Sequence, residues 1–307
     1  MKLSDAIGGT PLIFLETISR MIGANIFIKY EAGNPFGSSL DRTALRYIQQ
    51  GIQSGKLTPD GCIVEASSGD LAVSLAYLCA ENRITLMLVM PQPEDDRIPR
   101  LLSLLRAEVI CTPAEGGMRA AVQTAVNVHR DTWKSFYPNQ FENEEGPHTH
   151  YQTTGTEIVQ QCRQMKIHPD VFISGVGSGA TLMGTGKRLR EEYPEIQLVA
   201  VEPSESAVLS GGKPGAHGYR GIGVGFRPKI FDSRLVSHVV PVDMKNTVRA
   251  CHRLLNKEAL PCGLTTCANL HAALQLLQDV EYRNKNIILM GHDAIERDLG
   301  NRFLSYG

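Results

Sequence analysis

Seven residues, Gly175-Val176-Gly177-Ser178-Gly179-Ala180-Thr181, follow an apolar run at 171–174 and open a helical pattern over 182–192. Glycines let the backbone turn tightly, so several N–H groups can converge on one anion. The helix that follows adds its positive N-terminal end. Ser178 and Thr181 supply hydroxyl donors. The pattern suits a dianionic phosphate. Taken alone it equally fits a dinucleotide loop or a bare glycine-rich turn, because one such turn is a weak signal. A second junction, Glu65-Ala66-Ser67-Ser68-Gly69-Asp70, also stands between a short apolar run and a helical pattern. Hydroxyls and amides at a helix start bind a carboxylate. Asp70 and Ser68 are also good capping residues, and capping is the better reading of these residues by themselves.

Elements of two kinds must position these loops. Short runs rich in Val, Ile and Leu predict strands over 25–29, 62–65, 85–90, 108–111, 171–174, 197–202, 236–242 and 286–290. They do not alternate strictly, as expected of strands buried on both faces of a parallel sheet. Amphipathic periodicity predicts helices over 71–80, 97–105, 117–130, 154–162, 182–192 and 246–257. Pro99 falls in a first helical turn, where a missing N–H is tolerated. Strand–helix alternation implies an α/β fold with right-handed crossovers. A polar, turn-rich stretch over 139–154 marks the principal boundary, and nothing repeats internally.

With 307 residues, 42% hydrophobic and 21% charged, the chain has the composition of a globular protein with a large core. A net charge of −1 and no basic block argue against a nucleic-acid partner or an anionic membrane surface. No apolar run reaches the roughly 18 residues that a membrane span needs, and no signal-peptide pattern opens the sequence. The expectation is a cytoplasmic protein. Seven scattered cysteines then read as reduced, free thiols. Cys262 and Cys267 lack a second pair, so no metal site is expected.

The motifs occur together and in order. The chain has Ile7-Gly8-Gly9-Thr10-Pro11-Leu12, Asn34-Pro35-Phe36-Gly37-Ser38-Ser39-Leu40-Asp41-Arg42, Ser67-Ser68-Gly69-Asp70 and Gln140-Phe141-Glu142-Asn143. It continues with Thr153-Thr154-Gly155-Thr156-Glu157-Ile158, the 175–181 loop, Val201-Glu202-Pro203 and Gly221-Ile222-Gly223-Val224-Gly225-Phe226. Along nearly its whole length the sequence resembles the cysteine synthase (O-acetylserine sulfhydrylase) family, somewhat nearer the B-type isozyme. The resemblance implies a two-domain fold-type II architecture of pyridoxal-phosphate enzymes, like the tryptophan synthase β-subunit. Residues 39–144 would form a small α/β domain, and 1–38 with 145–307 a large one. It implies homodimers and a role in cysteine biosynthesis, with pyridoxal 5′-phosphate as cofactor. By the same resemblance, Gly177, Ser178, Gly179, Ala180 and Thr181 match the cup for the cofactor phosphate. Ser67, Ser68 and Gly69 match the loop that grips the amino-acid carboxylate, with Gln140 beside it. Thr265 falls where a serine bonds the pyridine nitrogen.

Three positions depart from the family. Leu40 stands where a lysine forms the Schiff base and takes the substrate's α-proton, and an isobutyl group does neither. Asp70 replaces an asparagine that donates to the cofactor's phenolic oxygen, and a carboxylate there would repel a phenolate. Leu71 replaces a further hydroxyl residue. Lys29 and Lys213 occur in ordinary family members beside the missing lysine, and His292 reads as a satisfied surface histidine. No residue reads as a replacement. The expectation is a non-catalytic cysteine synthase-like protein, with the cofactor held non-covalently or absent. Its cleft would be kept for an anion, an amino acid or a partner's C-terminal peptide, as a serine acetyltransferase tail docks in the family. The competing expectation is a working synthase making L-cysteine from O-acetylserine and sulfide. A nicotinamide dehydrogenase is disfavoured, since only Glu202 loosely fits the acidic residue such a sheet needs.

Overall fold

A computed structural model describes residues 2–301 and Leu304. The chain begins with β1 (Leu12–Phe14), α1 (Glu16–Ile22) and β2 (Asn25–Tyr30), and α2 (Leu40–Gln53) follows. Strands and helices then alternate through β3 (Cys62–Ala66), α3 (Asp70–Asn82), β4 (Thr85–Pro91), α4 (Arg97–Leu104), β5 (Glu108–Thr112), α5 (Gly117–Asp131) and β6 (Ser135–Phe136). Next come α6 (Glu145–His150), α7 (Thr156–Met165), β7 (Val171–Gly175), α8 (Ala180–Glu192) and β8 (Gln197–Pro203). After a long loop, β9 (His238–Val242), α9 (Met244–Glu258), α10 (Leu264–Leu276) and β10 (Asn286–Gly291) complete the fold.

Among the described residues the strands make two sheets. One has the order β1-β2-β10-β7-β8-β9, the other β5-β4-β3-β6. Only β1 runs antiparallel to its neighbour; every other pairing is parallel. Parallel strands need crossovers, and helices supply them on both faces. This is why β3, β7 and β10 are buried along nearly their whole length and read as apolar runs without alternation. The result is a mixed α/β architecture built on two mainly parallel sheets, in line with the expected fold class.

The predicted strands and helices are present with shifted ends. Residues 236–237 lie outside β9, because the 3-10 turn Ser233–Leu235 precedes it and Ser237 already pairs with Leu198. The helix expected over 154–162 begins as a wide π-helical turn, Tyr151–Gly155, before α7. α10 has no amphipathic stripe because it is buried all round, so periodicity does not reveal it. The reading of all seven cysteines as free thiols is corrected. Cys251 on α9 and Cys267 on α10 form a disulfide, and the other five cysteines are free. No helix among the described residues is long and apolar enough to cross a membrane.

Candidate active site

The C-terminal ends of β3 and β7 face a common cleft that encloses about 680 Å³ including its open mouth. Leu40, Ser67, Ser68, Gly69, Asp70, Gln140, Gly177, Ser178, Gly179, Thr181 and Thr265 all line it. Of the residues that the resemblance assigns to cofactor or carboxylate binding, Ala180 alone does not line it, being buried as the first residue of α8.

The 175–181 loop is shaped by close approaches that forbid side chains. A Cβ on Gly177 would sit 2.4 Å from the Gly221 carbonyl oxygen, and one on Gly175 would meet Ile222 and Thr265 within 2.8 Å. Gly179, at φ 91°, turns the chain into α8 in a region that disfavours L side chains. The α8 N-terminus is therefore presented to the cleft with no side chain in front of Gly177. Thr181 Oγ1 lies 3.2 Å from His150 Nε2, whose ring also meets Thr43 (3.1 Å) and Thr154 (2.9 Å). Burial pushes His150 down to about 3, so the ring is neutral and serves as a hydrogen-bonding post behind the cup.

Opposite the cup, β3 delivers Ser67–Gly69 to the start of α3. The structure corrects the capping reading. Gly69 is the N-cap and no side chain caps it, while the Ala72 amide donates to Ser67 Oγ (3.2 Å). Ser68 and Asp70 are thereby free for the cleft and for other partners. Gln140 Nε2 donates to the Ala66 carbonyl (2.7 Å), which fixes that side chain beside the loop.

Asp70 is not the bare opposing charge that the sequence suggests. Arg297 donates to Oδ1 in a close ion pair, and Ser38 Oγ donates to Oδ2 (3.1 Å). At the mouth, Arg220 lines the cleft and pairs with Asp95. His292 is a second correction. It is buried and lines the cleft, with Nδ1 3.3 Å from Ser39 Oγ and Nε2 3.2 Å from Ser174 Oγ. Burial pulls it down to about 4, leaving a neutral ring. Sequence reasoning missed the arginines and this histidine as site residues. Each is a lone polar residue in a loop or short turn, with no local pattern to mark it.

Leu40 is the first residue of α2 and lines the cleft, and no lysine among the described residues does. Lys29 Nζ is buried and committed to Thr10 O (2.6 Å), Glu157 Oε2 (2.7 Å) and Gln161 Oε1 (3.1 Å). Arg42 completes that network by bridging Glu31 and Glu157. Burial lowers Lys29 below the ordinary lysine value, and Glu157 opposes that shift. Lys213 is exposed in the 209–215 loop.

The phosphate end of pyridoxal phosphate fits this cleft, since Gly177 and Gly179 leave the backbone open at a helix start, with the Ser178 and Thr181 side chains beside it. The aldehyde end does not fit as it does in the family. Leu40 offers no nitrogen, and Asp70 is an acceptor already bonded by Arg297 and Ser38.

Residues 3–292 match the family described as pyridoxal-phosphate dependent enzyme. Cysteine synthase from Staphylococcus aureus is 34% identical over 305 residues, covering 99% of this chain and 97% of that protein. The crystal structure of O-acetylserine sulfhydrylase isoform 3 from Entamoeba histolytica superposes with a TM-score of 0.90 at 28% identity, over 99% of this chain and 91% of that one. A mutant of O-ureido-L-serine synthase with lysine changed to alanine and O-ureido-L-serine bound gives a TM-score of 0.93 at 27% identity, over 99% and 93% of the two chains.

Proposed function

The chain belongs to the cysteine synthase family of pyridoxal-phosphate-dependent enzymes, and from that membership we propose that it binds anionic ligands without carrying out the family's β-replacement. One observation carries the reading: the cleft is lined by Ser67–Gly69 and Gly177–Gly179, whose amides and hydroxyls suit an anion, and by Leu40, and no lysine among the described residues lines it. Pyridoxal phosphate, when bound, supplies the electron sink that lets a β-substituent leave an amino acid. Gly177, Ser178, Gly179 and Thr181 would hold its phosphate, and Thr265 offers a hydroxyl at the far wall. The rest of the chemistry needs a base that takes the α-proton. His292 is neutral, but both its nitrogens meet serine hydroxyls. Lys29 is locked to Glu157. Burial makes His292 a weak base, and Lys29 does not line the cleft.

The remaining groups bind and orient. Ser67, Ser68 and Gly69 at the start of α3 take a carboxylate, from an amino acid or from the C-terminus of a partner peptide such as a serine acetyltransferase tail. The O-ureido-L-serine-bound mutant of O-ureido-L-serine synthase with one lysine changed to alanine supports amino-acid binding in a relative that lacks that lysine. Titration of the purified protein with pyridoxal phosphate, followed by absorbance and thermal midpoint together, tests the reading. The expected result is a saturable rise in midpoint while the absorbance stays that of the free aldehyde. A new band of a protein-bound imine, or cysteine formation from O-acetylserine and sulfide, would overturn it.

A further inference from the structure

Asp70 poses an electrostatic problem for the function just proposed. It is the first residue of α3 and adjoins Ser67, Ser68 and Gly69, so its carboxylate stands beside the place where an anion must bind. Like charges at such separations oppose each other strongly when water is scarce. The solution lies in the C-terminal segment. Arg297 comes from the 3-10 turn that follows β10 and places one nitrogen on Asp70 Oδ1 and another on the Phe36 carbonyl. Phe36 belongs to the loop that leads into α2 and Leu40. One guanidinium thus ties that loop to the carboxylate-binding loop. The ion pair is largely shielded, with side-chain exposures of 15% for Arg297 and 17% for Asp70.

The other charged neighbours leave Arg297 as the cation matched to Asp70. Asp41 is held by Ser74 Oγ (2.5 Å) and the Phe36 amide (2.8 Å). Asp298 accepts from the Leu264 amide (2.7 Å). Asp293 is buried with Oδ1 unpartnered, and burial favours its neutral form. Arg220, the other arginine at the cleft, is engaged with Asp95.

We propose that Arg297 is a positioning residue of the anion site, acting through Asp70. It cancels the charge that Asp70 brings to the carboxylate loop and braces the loop before Leu40. This rests on the anion-binding reading of the cleft. Removing the guanidinium alone leaves a shielded carboxylate uncompensated, whereas removing both charges does not. The single change should therefore weaken anion binding, and the double change should not.

The probe is N-acetylglycine, a carboxylate without an ammonium group, with its affinity measured by ligand-detected NMR. Arg297→Met should weaken binding by about tenfold or more. Arg297→Lys should stay near wild type, and Arg297→Met combined with Asp70→Asn should recover the affinity of Asp70→Asn alone. Hydrogen exchange of the 67–71 amides, measured without ligand, should quicken in Arg297→Met and return in the lysine and double variants. Wild-type affinity in Arg297→Met, or a double variant no better than Arg297→Met while both unfold cooperatively, would overturn the proposal. Should wild type bind no carboxylate, the anion reading fails by itself. The exchange rates then decide the bracing role: unchanged rates in Arg297→Met remove it.

Discussion

Replacing Gly177 with alanine should abolish anion-dependent stabilisation while leaving a folded protein. The new Cβ would lie 2.4 Å from the Gly221 carbonyl oxygen. Carbon–oxygen contacts settle near 3.3 Å, so the 175–181 loop and the Gly221 loop must part by about 0.9 Å. Overpacking of that kind costs about 1–3 kcal/mol. At roughly 2 °C per kcal/mol for a chain of this size, the basal midpoint should fall by about 2–6 °C. The wild-type cup, with phosphate at a hundred times its Kd, should gain about 2.7 kcal/mol, or roughly 5 °C. The assay is thermal unfolding in inorganic phosphate, sulfate and free pyridoxal phosphate, with sodium chloride at matched ionic strength as control. Gly177→Ala should show the lower basal midpoint and no specific rise. If it keeps the wild-type rise, the loop between β7 and α8 is not the anion site.

Further outcomes follow from the same geometry. Leu40→Lys alone should restore little cysteine synthesis, because Asp70, though paired with Arg297, still presents an acceptor where a donor is needed, at a cost on the order of 1–3 kcal/mol. Turnover should need Asp70→Asn as well, and near-normal turnover from the single change would show the Asp70 effect to be overstated. Glu65, fully buried on β3 with Oε2 unpartnered, is pushed up to about 8 by burial. It keeps a proton in the folded protein that the unfolded chain releases near its ordinary value. Stability should therefore fall as pH rises from about 4.5 to 8, by on the order of a few kcal/mol. Urea unfolding across that range should find the dependence flattened in Glu65→Gln, and an equal slope in both proteins would remove Glu65 as its source. Alkylation of the denatured, unreduced protein should modify five cysteines, and seven would contradict the Cys251–Cys267 bond.

The parts of the site legible in the sequence are those fixed locally. The 175–181 loop declares itself because its glycines stand between an apolar strand and a helix, and the close approach to Gly221 needs them there. Leu40 is legible only against a family pattern, since nothing in its own neighbourhood demands a nitrogen. What escapes is tertiary. His292 reads as a surface residue until Ser39 and Ser174 close around it. Asp70 reads as an unmatched charge because its partner Arg297 lies 227 residues away. Cys251 and Cys267, 16 residues apart on two helices, show no pairing signal in their spacing. α10 is hidden by its own burial, for a helix buried on nearly every face, polar residues included, has no apolar stripe to read.

The most direct test of the missing covalent anchor is reduction with borohydride after incubation with stoichiometric pyridoxal phosphate, followed by intact-mass measurement and peptide mapping. With Leu40 at the head of α2 and no lysine lining the cleft, the expected result is no cofactor mass on any residue of the cleft. A stoichiometric increment mapped to Lys29, or to any other lysine reaching the cleft, would contradict it.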